Sequence, residues 1–322
     1  MGLFMKTKVK HAVEIILTAV LTVFLALKVG VLLDPEWSGD GFDVVNAFHS
    51  LEDNSLDVIV YGSSHAWKGC DTRVMREKYN LAAYNYGCNW QAINTSLLFL
   101  EDSLRTQSPK VVCVETYHVN FVIQDVQLDG QIYYTKAISD FPGKREFLKK
   151  VFGKHVGRYV TYVFPLMMFH ENWKNMYSEN WRNPGYERFV TSTGFCESGF
   201  GQPYKKESFK TFGKAPINEE AIEILNRIVK VCAEKDIKLI FFTCPFIGEN
   251  YYSCALEEYA KKNGCMYVDL FQHMDEMQFD PETDMNDGAH LCNSGAAKVA
   301  DYLGGFILQN YGELFGSQPQ DV

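Results

Sequence analysis

The 322-residue sequence lacks several patterns that would assign it to common protein classes. Its nine cysteines include no C-x-x-C pair, which disfavours a zinc site or a redox motif. It has no extended basic run beyond its N-terminus, and its formal net charge is −9. A nucleic-acid-binding protein needs a basic face to replace counterions, so that class is excluded. We therefore expect no nucleic-acid partner, no bound metal and no cofactor.

The composition is that of a folded protein. Apolar residues make up 47% of the chain and aromatic residues 14%, which excludes a disordered chain of low hydrophobicity. A chain of this length can bury one substantial core, with room for a large insertion or a small second domain.

The N-terminus carries the longest apolar run. Residues 12–33 follow Lys6, Lys8 and Lys10, and as a helix this run of 22 residues would span about 33 Å, enough for a hydrocarbon core of roughly 30 Å. The lysines predict a cytoplasmic N-terminus on a single-pass anchor in the cell membrane, formed by residues 1–33, with the rest outside. A cleaved signal peptide and a buried helix are the alternatives, but no clear A-x-A cleavage site follows the run.

Beyond the anchor, short apolar runs alternate with amphipathic stretches. We predict five strands, at residues 56–61, 82–86, 111–116, 237–243 and 266–270. We predict helices at residues 92–106, 218–234, 251–263 and 294–310. This alternation predicts an α/β fold with a doubly wound, parallel five-stranded sheet, whose site lies at the carboxyl ends of the strands.

Two stretches interrupt this alternation. Residues 34–55 are interpreted as a polar connector to a domain at residues 56–322. Residues 121–215 hold 20 aromatics, 21% of the stretch, and are interpreted as an insert or cap after the third strand. Exposed aromatics there could stack on sugar rings, or they could pack the core of the insert. The candidates are Trp173, Trp181 and Tyr186.

Two distant segments carry residues for acyl transfer. Ser64 follows the first predicted strand within Gly-Ser-Ser-His, and Asp287 and His290 stand three residues apart before the last predicted helix. A serine hydroxyl becomes a nucleophile when a base removes its proton and a third group orients that base. Each segment alone has an ordinary explanation, since Gly-Ser-Ser is common in turns and Asp-x-x-His can begin a helix. Their joint placement favours a Ser-His-Asp site.

The joint pattern resembles the SGNH (GDSL-type) hydrolase superfamily. The matching stretches run from Asp57 to His65 and from Asp287 to Gly295, whereas the G-x-S-x-G elbow of α/β-hydrolases is absent because Ala66 replaces its second glycine. The resemblance implies a flavodoxin-like sheet, with Ser64 as nucleophile, His290 as general base and Asp287 orienting it. Ser63 stands where many members have aspartate.

The resemblance also implies an oxyanion hole. Its family donors are the N–H of the nucleophile, a glycine after the second strand and an asparagine after the third. Gly87 or the backbone near Asn89 matches the second donor, although the glycine comes earlier than in many members. The third strand is not followed by a clean Gly-x-Asn, which leaves Asn120, His118 or neither as the third donor.

The N-terminal anchor and the Gly-Ser-Ser-His segment are similar to one membrane-anchored branch of this superfamily. That branch includes the alginate O-acetylation and teichoic-acid D-alanylation proteins, which work beside membrane-bound O-acyltransferases. The resemblance implies an exterior serine esterase or O-acyltransferase that acts on acyl, most simply acetyl, esters of a cell-envelope polysaccharide. Its partners would be the glycan, a membrane-bound O-acyltransferase, and the lipid bilayer through residues 12–33.

Two other functions are open to the same sequence. A non-catalytic carbohydrate-binding or assembly subunit of an acylation complex could keep the fold and use the aromatic insert for contacts. A phosphate- or nucleotide-binding flavodoxin-like domain is disfavoured, because the first strand-to-helix loop has no glycine-rich phosphate cradle.

Overall fold

The structure is a computed structural model that describes residues 2–33, 40–123, 134–164, 166–167, 170–175 and 191–316. Contacts divide the chain into two compact units. The first comprises Met1–Ser38 and Phe152–Tyr186, and the second comprises Gly39–Val151 and Glu187–Val322.

A five-stranded parallel sheet forms the centre of the second unit. Its strands lie in the order β2, β1, β3, β5, β7, which is the flavodoxin-like order 2-1-3-4-5 once the strands of this sheet are counted alone. The strands are β1 (Val58–Tyr61), β2 (Ala83–Asn85), β3 (Val111–Glu115), β5 (Lys238–Thr243) and β7 (Met266–Asp269). Every neighbouring pair is parallel. The predicted fold class is confirmed.

The strands are almost wholly buried, since helices cover both faces of the sheet. The helices of this unit that were predicted are present as α5 (Ile93–Ser103), α8 (Glu219–Ala233), α9 (Ser253–Lys262) and α10 (Asn293–Tyr311). Helix α8 begins where the side chain of Asn218 accepts a hydrogen bond from Ala221 N at 2.7 Å. Helix α10 buries Val299, Leu303 and Ile307 on one face.

Several helices were not predicted. They are α2 (Asp40–His49), α3 (Ser64–Trp67), α4 (Thr72–Tyr79), α6 (Pro142–Phe152) and α7 (Val156–Val163). Helix α2 lies within the stretch interpreted as a polar connector and buries Val44, Val45 and Phe48. The single turn of α3 is too short to show a period in the sequence.

The described parts of residues 121–215 have little regular structure besides α6 and α7. A two-stranded pair, β4 (Phe209–Lys210) with β6 (Gly248–Glu249), joins the end of this stretch to the loop after β5. Residue Thr193 accepts a hydrogen bond from Asn85 N at 2.8 Å, and Cys196 N donates to Trp67 O at 2.9 Å. Trp181 and Tyr186 lie outside the described residues. The division into connector, catalytic domain and insert stays a prediction.

The first unit contains helix α1 (Gly2–Leu33). In the described part of the chain, one helix is long and apolar enough to cross a membrane, over Thr7–Gly30, with a mean hydropathy of 2.2. A signal sequence near the N-terminus also meets these criteria of length and composition.

Candidate active site

The candidate nucleophile stands on a sharp turn at the carboxyl end of β1. Gly62 has φ +150°, and a Cβ atom there would lie 2.6 Å from Glu115 Cβ and 2.9 Å from Ala66 Cβ. Only glycine fits this backbone conformation and this space, and Gly62 thereby lets the chain pass directly from β1 into α3. Ser64 is the first residue of α3 and is 6% exposed.

A buried carboxyl group lies under this turn. Ser63 caps α3 by accepting from His65 N, and its hydroxyl donates to Glu115 Oε2 at 3.3 Å. Glu115 Oε1 accepts from Tyr117 N at 2.8 Å. Burial raises the pKa of Glu115 to about 8, because desolvation outweighs these hydrogen bonds. The protonated, neutral form of Glu115 is thus favoured at neutral pH.

Asp287 and His290 stand on a tight turn before α10. An antiparallel bridge pairs Met285 with Leu291, and Asn286 N donates to His290 O at 2.9 Å. Asp287 Oδ1 accepts from Ala289 N at 2.7 Å and from His290 N at 2.9 Å. These bonds fix the Asp287 carboxylate within the turn, where it faces the imidazole ring of His290.

The three side chains form one hydrogen-bonded row. Ser64 Oγ lies 2.8 Å from His290 Nε2, and His290 Nδ1 lies 2.9 Å from Asp287 Oδ2. Partial burial raises the pKa of Asp287, but the hydrogen bonds from His290 and from the backbone outweigh it and lower the pKa overall. An ionised Asp287 accepts from Nδ1–H, which leaves Nε2 to accept from the Ser64 hydroxyl. The row spans 226 residues of sequence between Ser64 and His290.

Aromatic rings surround His65, the residue that follows Ser64. The imidazole of His65 stacks on Tyr117 with a centroid separation of 3.6 Å and meets Phe246 edge-on at 5.5 Å. It lies 5.4 Å from the ring of His290. Desolvation, followed by the nearby His290, lowers the pKa of His65 well below its ordinary value. A neutral His65 therefore packs against the base without adding charge.

A second histidine extends this cluster toward solvent. His118 lies 6.4 Å from His65 and stacks on Trp90 at 5.3 Å, and burial lowers the pKa of His118 to about 4. Trp90 is 55% exposed and has φ +55°, an unusual backbone conformation for a residue with a large side chain. The ring cluster of Trp90, His118 and His65 thus connects an exposed indole to His290.

Several buried polar atoms in this region have no hydrogen-bond partner among the described residues. They are His65 Nδ1, Trp67 Nε1, Gln91 Oε1, Thr95 Oγ1 and His118 Nδ1. These residues follow β1, β2 and β3, the three strands whose carboxyl ends meet at Ser64. Unpaired buried polar groups are rare in folded proteins, and bound water or a ligand would satisfy these.

Besides His118, three residues were predicted from the sequence as oxyanion-hole candidates, and the structure places them differently. Gly87 lies beside the nucleophile helix, since a Cβ there would lie 3.0 Å from Trp67 N, but its N–H donates to Asn85 Oδ1 at 3.1 Å. Asn89 is exposed in the turn that follows. Asn120 is engaged elsewhere, because its amide donates to Pro216 O at 3.1 Å and accepts from Asn218 N at 2.9 Å.

The side chain of Asn85 forms hydrogen bonds to three backbone groups in the same region. Its fully buried amide donates to Ala66 O at 2.7 Å and to Cys70 O at 2.9 Å while its oxygen accepts from Gly87 N. Asn85, Glu115, His65 and Trp90 have no role predicted from the sequence. Glu115 ends a buried apolar strand with an acidic residue, which was the one signal in the sequence for a special environment.

Comparisons with known proteins add little to this geometry. No protein-family model matches the chain, and no curated protein matches it. Among solved structures, the chain is similar to a crystal structure from Bacteroides fragilis described as a "putative acylhydrolase", with 11% identity and a TM-score of 0.40. The match covers 83% of this chain and 94% of that one. A likeness this distant does not identify a reaction.

Among the described residues, no group of three or more His, Cys, Asp or Glu side chains is arranged to hold a metal ion. Cys113 on β3 and Cys244 after β5 are fully buried, and burial raises the pKa of both thiols. A thiol of this kind behaves as a small apolar side chain rather than a ligand or nucleophile.

Proposed function

We propose that this protein is a serine esterase or O-acyltransferase of the SGNH type, with Ser64 as nucleophile. The row from Ser64 Oγ through His290 to Asp287, with its two hydrogen bonds of 2.8 and 2.9 Å, carries the proposal. It pairs a nucleophile with a base and the base with an orienting carboxylate, which is the arrangement that acyl transfer requires.

The proposed reaction has two steps. The Ser64 hydroxyl passes its proton to His290 Nε2 as Oγ attacks the ester carbonyl carbon, and the carbonyl oxygen takes the negative charge. Collapse of this intermediate expels the alcohol, which takes the proton from Nε2 and leaves an acyl group on Ser64. Water or a sugar hydroxyl then gives its proton to Nε2 and attacks the acyl carbonyl carbon. The bond from that carbon to Oγ breaks, Ser64 takes the proton back from Nε2, and the free acid or the acylated sugar leaves.

The developing oxyanion needs hydrogen-bond donors. The backbone N–H of Ser64 is available, since the first N–H groups of a helix have no intrahelical acceptor. Gly87 and the backbone near Asn89 remain candidates for the second donor, and Gly87 would have to exchange its bond to Asn85 for one to substrate. Asn120 is engaged with Pro216 and Asn218, so we propose no role for it in this step.

The finer identity of the substrate is also a proposal. The SGNH resemblance and helix α1 favour acyl esters of a cell-envelope polysaccharide, handled outside the cell by a protein anchored through its N-terminal helix with a cytoplasmic N-terminus. A membrane-bound O-acyltransferase would supply or receive the acyl group. The exposed indole of Trp90 stacks on His118, which meets His65 edge-on beside the site, and it supports a flat-faced ligand such as a sugar ring.

The test is trapping of the acyl-enzyme on the full chain in detergent. With p-nitrophenyl acetate, we expect p-nitrophenol release and an added acetyl mass on the peptide that contains Ser64. Ser64→Ala and His290→Ala should abolish both, while Ser208→Ala, a serine on a separate surface turn, should leave them unchanged. Equal background release by the natural chain and Ser64→Ala, with no adduct, would favour the non-catalytic subunit instead.

A further inference from the structure

We propose that helix α7, with the exposed Met167 just beyond it, lies on the membrane surface, beside the Gly30 end of the α1 span. The inference rests on the proposed anchoring of α1 in a bilayer. It concerns only the first unit, which groups the N-terminal helix with residues Phe152–Tyr186.

Helix α7 carries an exposed apolar stripe. Val156, Tyr159 and Val163 stand at spacings of three and four residues, which places them on one face of the helix. They are 70%, 47% and 42% exposed, and Met167 adds a further exposed side chain just beyond the helix. None of the side chains of α7 is buried. A contiguous apolar stripe of this kind marks a surface that binds something.

The stripe adjoins the end of the candidate membrane span. Gly30 is the last residue of the span, and a Cβ atom there would lie only 2.6 Å from Leu166 N. The backbone three residues after Val163 therefore packs directly on α1 where the candidate span ends. The end of a membrane-spanning run lies at the boundary between hydrocarbon and headgroups. An apolar stripe held beside that boundary can sink into it.

The charge of this segment also suits a lipid surface. Residues 152–175 hold three basic residues, Lys154, Arg158 and Lys174, against the single acidic Glu171, a net charge of +2. The whole chain carries −9, so the segment has the opposite sign to the protein as a whole. Basic residues beside an apolar face are attracted to anionic headgroups. Tyr159 and the exposed Trp173 are aromatic types that favour this interface.

The opposite face of α7 provides a matched control. Thr161 lies on it, and its hydroxyl donates to Gly157 O at 3.1 Å within the helix. We would place the photoreactive residue p-benzoylphenylalanine at Tyr159, at Thr161, or at Val20 in the middle of the α1 span. Each full-length variant would be purified, reconstituted in vesicles of phosphatidylcholine and phosphatidylglycerol at 7:3, and irradiated. Mass spectrometry would count phospholipid adducts.

We expect at least fivefold more lipid adduct at position 159 than at 161, together with abundant adduct at position 20. Replacing Val156 and Val163 with aspartate should reduce the adduct at 159 by a similar factor, whereas Thr161→Asp should not. Unchanged thermal unfolding would show that the doubly substituted chain still folds.

The lipid adduct at position 20 distinguishes failure of the α7 proposal from failure of the anchor proposal. If position 20 labels lipid while 159 labels no more than 161, α7 does not lie on the membrane, and the anchor proposal stands. If neither 20 nor 159 labels lipid, both proposals fail. A crosslink from 159 to a second copy of the chain, in place of lipid, would overturn the lipid assignment in favour of a protein contact.

Discussion

The hydroxyl of Ser63 donates to the buried carboxyl group of Glu115 at 3.3 Å, directly beneath the turn that presents Ser64. Glu115 ends β3 and Ser63 follows β1, so this contact joins the carboxyl ends of two neighbouring strands. The turn that presents Ser64 therefore lies on a group whose charge depends on pH.

Glu115 should make the stability of the protein fall as pH rises. The folded-state pKa is about 8 because of burial, whereas an unfolded glutamate titrates near 4.5. Between these values the folded state holds one more proton than the unfolded state, so the free energy of unfolding decreases with pH, by at most about 1.4 kcal/mol per pH unit. Glu115→Gln keeps the acceptor oxygen without the charge and should remove this decline. The measurement is chemical unfolding of both full-length chains from pH 4.5 to 9, and parallel curves would contradict the prediction.

Gly62→Ala should displace the nucleophile. The new Cβ would lie 2.6 Å from Glu115 Cβ at a backbone φ of +150°, so the turn must move. Overpacking of this kind costs about 1–3 kcal/mol of stability, and a shift of about 1 Å at the nucleophile can cost roughly 100-fold in kcat. Esterase assays and thermal unfolding measure the two effects. Gly312→Ala is the control, because nothing lies within 4 Å of its Cβ position, and equal losses in both variants would refute the steric explanation.

Asp287→Asn should abolish most activity and leave the fold intact. The carboxylate holds His290 Nδ1–H at 2.9 Å, and an amide there can favour the wrong tautomer of the ring. We expect kcat to fall by about four orders of magnitude. The side chain of Asp287 is 49% exposed, so thermal unfolding should change little. Asp275→Asn, on an exposed surface, should retain activity, and an Asp287→Asn variant of near-natural kcat would remove Asp287 from the mechanism.

Asn85→Ala should destabilise the region of the site. Its amide bonds to Ala66 O, Cys70 O and Gly87 N. Without it Ala66 O keeps its backbone bonds from Gly69 N and Cys70 N, but Cys70 O and Gly87 N lose this partner, and each buried group left unpaired costs about 1–3 kcal/mol. We expect a loss of several kcal/mol in urea unfolding of the full chain. Asn310→Ala removes a single hydrogen bond within α10 and should cost less than about 1.5 kcal/mol. If the free energy of unfolding falls no further in Asn85→Ala than in Asn310→Ala, water replaces the lost hydrogen bonds.

The strands and long helices were predictable because their signals are local. A strand such as β3 reads as a short run of Val and Cys, and α8 shows its Asn218 cap and its apolar period within one segment. Helices α3 and α2 were not predicted, the first because it is one turn long and the second because its few apolar residues lie in a polar stretch.

The sequence alone determined the candidate residues Ser64, Asp287 and His290, the five strands of the sheet and the four helices α5, α8, α9 and α10, since residue type and hydrophobic period are properties of short segments. Only the tertiary structure decided that Ser64 Oγ meets His290 Nε2 at 2.8 Å, that Asn120 is engaged with Pro216, and that Glu115 lies under the nucleophile turn. These facts depend on which strand ends meet, and on the burial that results. The sheet order sets both, and no short stretch of sequence contains it.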